Sequence, residues 1–350
     1  MPLSIQIIKA VQDLSFAIRA GTFRNIALLT GAGVSVNSGI PDFRSPGGMY
    51  STLNPDLFTA TAAQRHAMRI DPTTIVSWDL FRVNSLPYLE LRRPFILGTA
   101  AKKWLLTISH IFPRLLYERG LLKTLFTQNI DGLEFQSGIP DKNVVAVHGT
   151  LGRIVCENCG RSADMDQFQK SVREQIRDIY GSVSDDSSEE APPKASTPII
   201  CECCKKPTVK PATVLYGRNL PKEFFLAQRA LSQQGSPCAK ADGEFRRGAA
   251  VGPADLLFVI GTSLTVWPAA GLPAHIPREA KCVVVNLHPV QTHLDQDVAA
   301  RGVFLQGDCD EVLLELVVQL GWLKDLQKHE LLLCEHSRAL LSRALEGAGQ

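Results

Sequence analysis

Five short apolar runs constrain this 350-residue chain more than anything else in it: NIALLT (25–30), KTLFT (123–127), NVVAV (143–147), DLLFVI (255–260) and KCVVV (281–285). They lack the strict alternation of a strand with one wet face. Runs of this kind are buried on both sides and belong to parallel sheets covered by helices. Each stops at glycine or polar residues: Gly31-Ala32-Gly33, the stretch Gln128 to Asp131, His148-Gly149, Gly261-Thr262-Ser263, and Asn286. Open α/β sheets take their ligands beyond the carboxyl ends of the strands. Turn chemistry explains one such end; five together predict a shared crevice.

Two CxxC pairs, Cys156/Cys159 and Cys201/Cys204, follow the third run. Four sulfurs on two knuckles are what tetrahedral zinc takes, and such a site keeps no position open for water. A metal there holds structure, and the chemistry lies elsewhere. The rival reading is a set of buried or redox-active thiols. Cys201-Glu202-Cys203-Cys204 offers three thiols for two places; the two-residue spacing selects Cys201 and Cys204 and leaves Cys203 as the competitor. Nine cysteines, odd in number and clustered, suit a reducing compartment better than a disulfide scaffold.

The net charge of +2 argues neither for nor against nucleic acid or membrane partners, and no apolar run reaches transmembrane length. Neither partner is expected, and the chain is read as a monomer. The opening MPLSIQIIKAVQDLSFAIRAG reads as an amphipathic helix in preference to a transit peptide. A cytoplasmic or nuclear protein is therefore expected, with mitochondrial residence left open.

Residues 48–110 read as a helical insertion with Trp78 and Phe81, and the run 107–120 repeats apolar residues at helical spacing. Residues 182–198 are acidic and proline-bearing and read as a disordered loop; 232–252 reads as a second flexible insertion. A helix is expected near 310–320, and 326–345 as a helical stretch that covers its own domain. In IALLTGAGVSVNSGIPDFR (26–44) a strand enters Gly-Ala-Gly and a short helix, as in loops that hold a pyrophosphate. Val36 stands where the dinucleotide fingerprint has its third glycine, so a plain tight turn is a serious rival. The loop Gly39 to Pro46, set between two prolines, suits a lid over a cofactor.

GAGVSVNSGIPDFRSP, TQNIDGLE, VHGT, the two CxxC pairs, VKPATVLYG and GTSLTVWP occur in the order seen in sirtuins, and the chain resembles that family over about residues 20–320. The resemblance implies an α/β architecture: a Rossmann-like parallel-sheet domain in three parts (1–47, 111–150, 214–325). The helical insertion 48–110 and a zinc-binding module 151–213 are set into it, and a helical tail 326–350 follows. It implies an NAD-dependent protein deacetylase acting on acylated lysines of histone or other proteins. Ala32, Gly33, Val34, Ser35 and Val36 would hold NAD phosphates, as would Gly261, Thr262 and Ser263. Asp42, Phe43 and Arg44 would cover the nicotinamide ribose. Of the stretch Gln128, Asn129, Ile130 and Asp131, all of which would meet the cofactor, Asn129 and Asp131 would line the nicotinamide pocket and be catalytic, and Gln128 would meet the ribose. Asn286, Leu287 and His288 would meet the adenosine ribose. Cys309 would sit near the adenine, an ordinary buried thiol being an equal reading. Val214, Leu215, Tyr216, Gly217 and Val266 would take the substrate. Zn2+ would bind Cys156, Cys159, Cys201 and Cys204. His148 matches the general base: a neutral imidazole titrates near operating pH and can take a ribose hydroxyl proton. Nicotinamide, O-acyl-ADP-ribose and free lysine would leave.

Three departures stand out. Arg218 replaces an acid beside the peptide strand, which predicts tolerance of acidic residues around the target lysine; its pointing to solvent is the rival reading. Leu215 replaces a phenylalanine, which predicts room for long acyl chains. Leu287-His288 replaces a basic-acidic pair, which predicts weaker hold on adenosine. Rival functions are a zinc-containing dehydrogenase or thiol oxidoreductase, a non-catalytic sensor of NAD or ADP-ribose, and a protein mono-ADP-ribosyltransferase.

Overall fold

The computed structural model describes residues 3–43, 45–181, 192–233, 252–290 and 296–348. Arg44, most of the acidic loop (182–191) and most of the second insertion (234–251) lie outside the described residues. Nine strands are described: β1 (Ile26–Thr30), β2 (Leu122–Thr127), β3 (Val144–Ala146), β4 (Gly149–Cys156), β5 (Ser162–Ala163), β6 (Val209–Thr213), β7 (Leu256–Ile260), β8 (Lys281–Asn286) and β9 (Gly302–Gln306).

Six of them form a parallel sheet in the order β3-β2-β1-β7-β8-β9. The five apolar runs supply its first five strands. The sixth, β9, is an addition to the sequence reading: as an edge strand it buries only Leu305, and its apolar run is just the three residues Val303 to Leu305. Side chains alternate across the sheet. Ile26, Leu28, Leu256, Phe258 and Val283 face one core, shared with the helices Ile5–Arg19, Ile108–Glu118, Cys309–Leu320 and Glu335–Ala348. Ala27, Leu29, Leu257, Val259 and Val284 face the other, against the helix Lys222–Ala230 and the turn Ala269–His275. This doubly covered parallel sheet is Rossmann-like.

The run 107–120, read as part of the insertion, packs in the large core through Ile108, Ile111, Phe112 and Leu115. The stretch 326–345 covers its own domain through Leu326, Leu333, Leu340 and Leu341. It is broken, however, into the helices Leu323–Gln327 and Glu335–Ala348 with a 3-10 turn at Glu330–Leu332. The last helix is latched by Asp310, whose carboxylate accepts from Ser337 Oγ (2.5 Å), Ser109 Oγ (2.5 Å) and Ser109 N–H (2.9 Å).

β4, β5 and β6 form a small antiparallel sheet in the order β5-β4-β6. Its core joins Ile154, Cys156, Cys201 and Val209 to Phe58, Phe81, Leu89 and Phe168 from the neighbouring helices. β4 runs out from the carboxyl edge of the large sheet into this small domain, and β6 runs back, pairing Thr213 with Gly149. At the opposite, amino-terminal edge, the flanks of the second insertion are tied down. Ala254 N–H donates to Leu231 O (2.7 Å), and Gly252 N–H donates to Asn25 Oδ1 (3.0 Å). No described helix is long and apolar enough to cross a membrane.

Candidate active site

A cavity of about 540 Å³ opens between the carboxyl ends of β1, β2, β7 and β8 and the small domain. Most residues singled out from sequence line it. Ala32, Gly33 and Val36 come from the loop after β1, Gln128, Asn129 and Ile130 from the loop after β2, and His148 from the link between β3 and β4. Gly261, Thr262, Ser263 and Val266 follow β7; Asn286, Leu287, His288 and Cys309 form the far end. Asp42 and Phe43 and the segment Val214 to Gly217 complete the wall.

The glycines are there because two loops touch. A β-carbon on Gly33 would lie 2.7 Å from Gly261 Cα, and one on Gly31 would lie 2.5 Å from Thr262 Cβ. Gly31 N–H donates to Ile260 O (2.9 Å) and Gly33 N–H to Gly261 O (2.8 Å). The two turns thus pack backbone to backbone, which a side chain at Gly31 or Gly33 would prevent.

Val34, Ser35 and Asp131 stand behind this wall. Val34 belongs to the large core. Ser35 Oγ donates to Asp131 Oδ2 (2.8 Å) and accepts from Asn129 Nδ2 (3.2 Å), whose amide also donates to Gly31 O (3.1 Å). His110 is buried beside them: Nδ1 accepts from Thr107 N–H (3.1 Å) and Nε2 lies 3.4 Å from Ser35 Oγ. Burial lowers the pKa of His110, against the pull of Asp131 and Asp310. Burial raises that of Asp131 to about 6, helped by Glu134. The cavity wall therefore rests on a dry polar network that fixes the amide of Asn129.

His148 Nδ1 lies 2.9 Å from Gln128 O. A carbonyl only accepts, so Nδ1 carries the hydrogen, and in the neutral ring Nε2 carries the lone pair. The Gln128 side chain in turn donates to Thr262 Oγ1 (2.9 Å), bridging two strand ends. His148 O accepts from Val214 N–H (2.8 Å), which joins the imidazole to the segment that follows β6. In that segment Tyr216 N–H donates to Val76 O (3.0 Å) and Tyr216 O accepts from Trp78 N–H (2.9 Å), so one edge is already paired.

Arg218 does not leave a bare positive charge beside this segment. Its Nε meets Glu157 Oε1 (3.1 Å) and its guanidinium lies over the Trp78 ring, 4.8 Å from the centroid; Glu157 also pairs with the buried Lys210 (3.0 Å). The acid that meets Arg218 is Glu157, from the cysteine knuckle. Leu215 lines the cavity and packs into the small core. Cys309 is buried, with Sγ 3.9 Å from Val285 O, and burial raises its pKa.

Sequence reading missed Tyr50, Val76, Tyr88, Arg92, Thr213 and Trp267 on the cavity wall. One signal for them was present: the doublet Arg92-Arg93 interrupts the apolar stretch LPYLELRRPFILG, and of the two Arg93 is engaged by Asp178 and Ile176 O while Arg92 lines the cavity.

The sulfurs of Cys156, Cys159, Cys201 and Cys204 all lie within 4.8 Å of one another, with Cys156–Cys204 at 3.5 Å and Cys159–Cys201 at 3.8 Å. Zn–S bonds of about 2.3 Å in a tetrahedron put sulfurs ~3.8 Å apart, so the set fits a structural zinc. Cys203 is outside it.

A sequence model described as the Sir2 family matches residues 31–236. Among curated proteins, the chain is 30% identical over 323 residues to NAD-dependent protein deacetylase hst2 of Schizosaccharomyces pombe, covering 91% of this chain and 79% of that one. It is 30% identical over 318 residues to NAD-dependent protein deacetylase sirtuin-3 of Mus musculus (91% and 78%). Against NAD-dependent protein deacetylase sirtuin-2 of Danio rerio it is 28% identical over 328 residues (89% and 72%).

Proposed function

The chain belongs to the Sir2 family, and on that premise we propose that it is an NAD-dependent protein lysine deacylase, acting on proteins that carry acylated lysines. NAD supplies a cleavable bond to nicotinamide and a ribose that receives the acyl group, one water completing the exchange that frees the amine. The packed backbone turns of residues 31–33 and 261–263 suit its pyrophosphate. Asn129, fixed by Ser35 and Gly31 O, meets the nicotinamide end, and Asn286 to His288 the adenosine end. The segment Val214 to Gly217 holds the peptide by strand addition on its open edge.

One observation carries this reading: the Gln128 carbonyl locks His148 in the tautomer whose Nε2 accepts a proton. Such a base takes a ribose hydroxyl proton without first losing its own. The structural zinc holds four thiolates and takes no part at the reacting atoms, which separates this site from a zinc dehydrogenase. Mass spectrometry of the protein with NAD and an acetyl-lysine peptide is expected to show deacetylated peptide, nicotinamide and O-acetyl-ADP-ribose in equal amounts. His148→Ala is expected to lower kcat by about 10²–10⁴-fold, the range of a lost general base. Reduced nicotinamide as product, or peptide gaining ADP-ribose, sinks the reading.

A further inference from the structure

Glu157 stands one residue past the zinc ligand Cys156, with only 14% of its side chain exposed. Its two oxygens meet two cations: Oε2 lies 3.0 Å from Lys210 Nζ, and Oε1 lies 3.1 Å from Arg218 Nε. Each cation is held by further contacts. Buried Lys210 also donates to Pro211 O (3.1 Å) and Thr213 O (2.5 Å). Arg218 lies over the Trp78 ring, and its N–H donates to Leu215 O (3.0 Å) across the left-handed Gly217 (φ +86°).

Thr213 directly precedes the segment Val214 to Gly217, and Arg218 directly follows it. One carboxylate therefore grips the chain just before and just after the residues that would pair with a substrate. Between the two grips, Val214 is paired with His148, and Tyr216 with Val76 and Trp78. Strand addition draws its affinity from main-chain hydrogen bonds along the other edge, so the segment must be held at one height from end to end. Burial sets the size of the effect. Lys210 is an ion in a dry core, where a charge that loses its partner is strongly disfavoured. With the carboxylate gone, Lys210 and Arg218 face each other as like charges, and their repulsion drives the ends of the segment apart.

We propose that Glu157 is a positioning residue for the substrate peptide: it clamps both ends of the segment that pairs with the substrate backbone, and so carries the order of the zinc knuckle into the peptide site. The inference rests on the deacylase reading. Glu157 does not line the cavity; it acts through Lys210 and Arg218.

An acetyl-lysine peptide with uncharged flanking residues decides it, because no side chain of that substrate offers Arg218 a charge. In the full-length protein, Glu157→Gln is expected to raise KM for the peptide by about 10-fold or more, the scale of a lost charged hydrogen bond, with KM for NAD and bound zinc unchanged. Hydrogen exchange should quicken at the Val214 and Tyr216 amides and keep its wild-type rates in β1 and β7. Arg218→Met releases one end only and leaves the buried Lys210–Glu157 pair intact, so it decides the matter even where Glu157→Gln fails to fold. Its peptide KM is expected to rise by about 3-fold, the scale of an exposed ion pair. A wild-type peptide KM in folded Glu157→Gln, or in Arg218→Met, overturns the proposal. So does a rise shared equally with KM for NAD, which marks a general loss of order. An Arg218→Met effect seen only with acid-flanked peptides also overturns it, since Arg218 then meets the substrate directly. Absence of turnover by the wild type, with Glu157-dependent binding of the labelled peptide by fluorescence anisotropy, refutes the deacylase reading and leaves the clamp standing.

Discussion

Ser35 Oγ joins three side chains that sequence reading kept apart: it donates to Asp131, accepts from Asn129 and lies beside His110 Nε2. The pH behaviour of this network follows from Asp131, whose pKa burial and Glu134 raise to about 6. Between about pH 4 and 6 the folded protein keeps a proton that the unfolded chain has released. Stability therefore falls as pH rises through that window, by up to about 3 kcal/mol, and is level above it. The lowered pKa of His110 acts with the opposite sign, adding stability as pH climbs toward its unfolded value. Asp131→Asn removes the falling component and, by taking away its upward pull on His110, leaves the rising one at least as large. Its Tm relative to wild type is expected to climb between pH 4 and 6.5; a difference that stays flat by calorimetry refutes the raised carboxyl. Asn129 and His148, which end apolar runs, line the cavity, whereas Val34, Ser35 and Asp131 of the same motifs stand behind it: a motif gives adjacency along the chain and not the direction in which each side chain turns.

The link from β3 to β4 shows how one element sets the geometry of another. Gly149 follows His148 with φ +76°, and a β-carbon on it would lie 1.9 Å from Ala212 O in β6. Gly149→Ala meets both a left-handed backbone and a collision with the partner strand. A loss of more than about 2 kcal/mol is expected, together with reduced kcat/KM, since His148 O is paired to Val214 N–H in the same ladder. Urea unfolding with kinetics on the same sample checks this, and wild-type values in both would refute it. VHGT reads as a strand end in sequence, but the need for glycine is set by a strand about 60 residues later and leaves no local trace. β9 was invisible for a related reason: only its neighbour β8 and the packing around Leu305 make it a strand.

At the scale of the molecule, the zinc knuckles and the reacting end of the cavity lie at two ends of the same strands. β4 runs from Gly149 to Cys156, and β6 runs from Val209 to Thr213, beside the peptide segment. Removing zinc with a chelator is expected to abolish deacylation while most of the helical circular dichroism survives, because the large sheet has its own cores. Restoring zinc should restore activity. Full activity in metal-free protein, verified by elemental analysis, would show that the knuckles do not hold the peptide strand in place. The cysteine spacing announced the module, but not its reach into the active site, since that depends on the register of β4 against β6.

Leu231 and Ala254 are paired to one another, and Gly252 is paired to Asn25 at the amino end of β1, whereas His148 stands at the carboxyl end of the sheet. Chain spliced in between Leu231 and Ala254 enters and leaves through one pinned gateway. An optical reporter or affinity handle inserted between residues 233 and 252 would thus be decoupled from turnover, which makes this end of the sheet the place to instrument the enzyme.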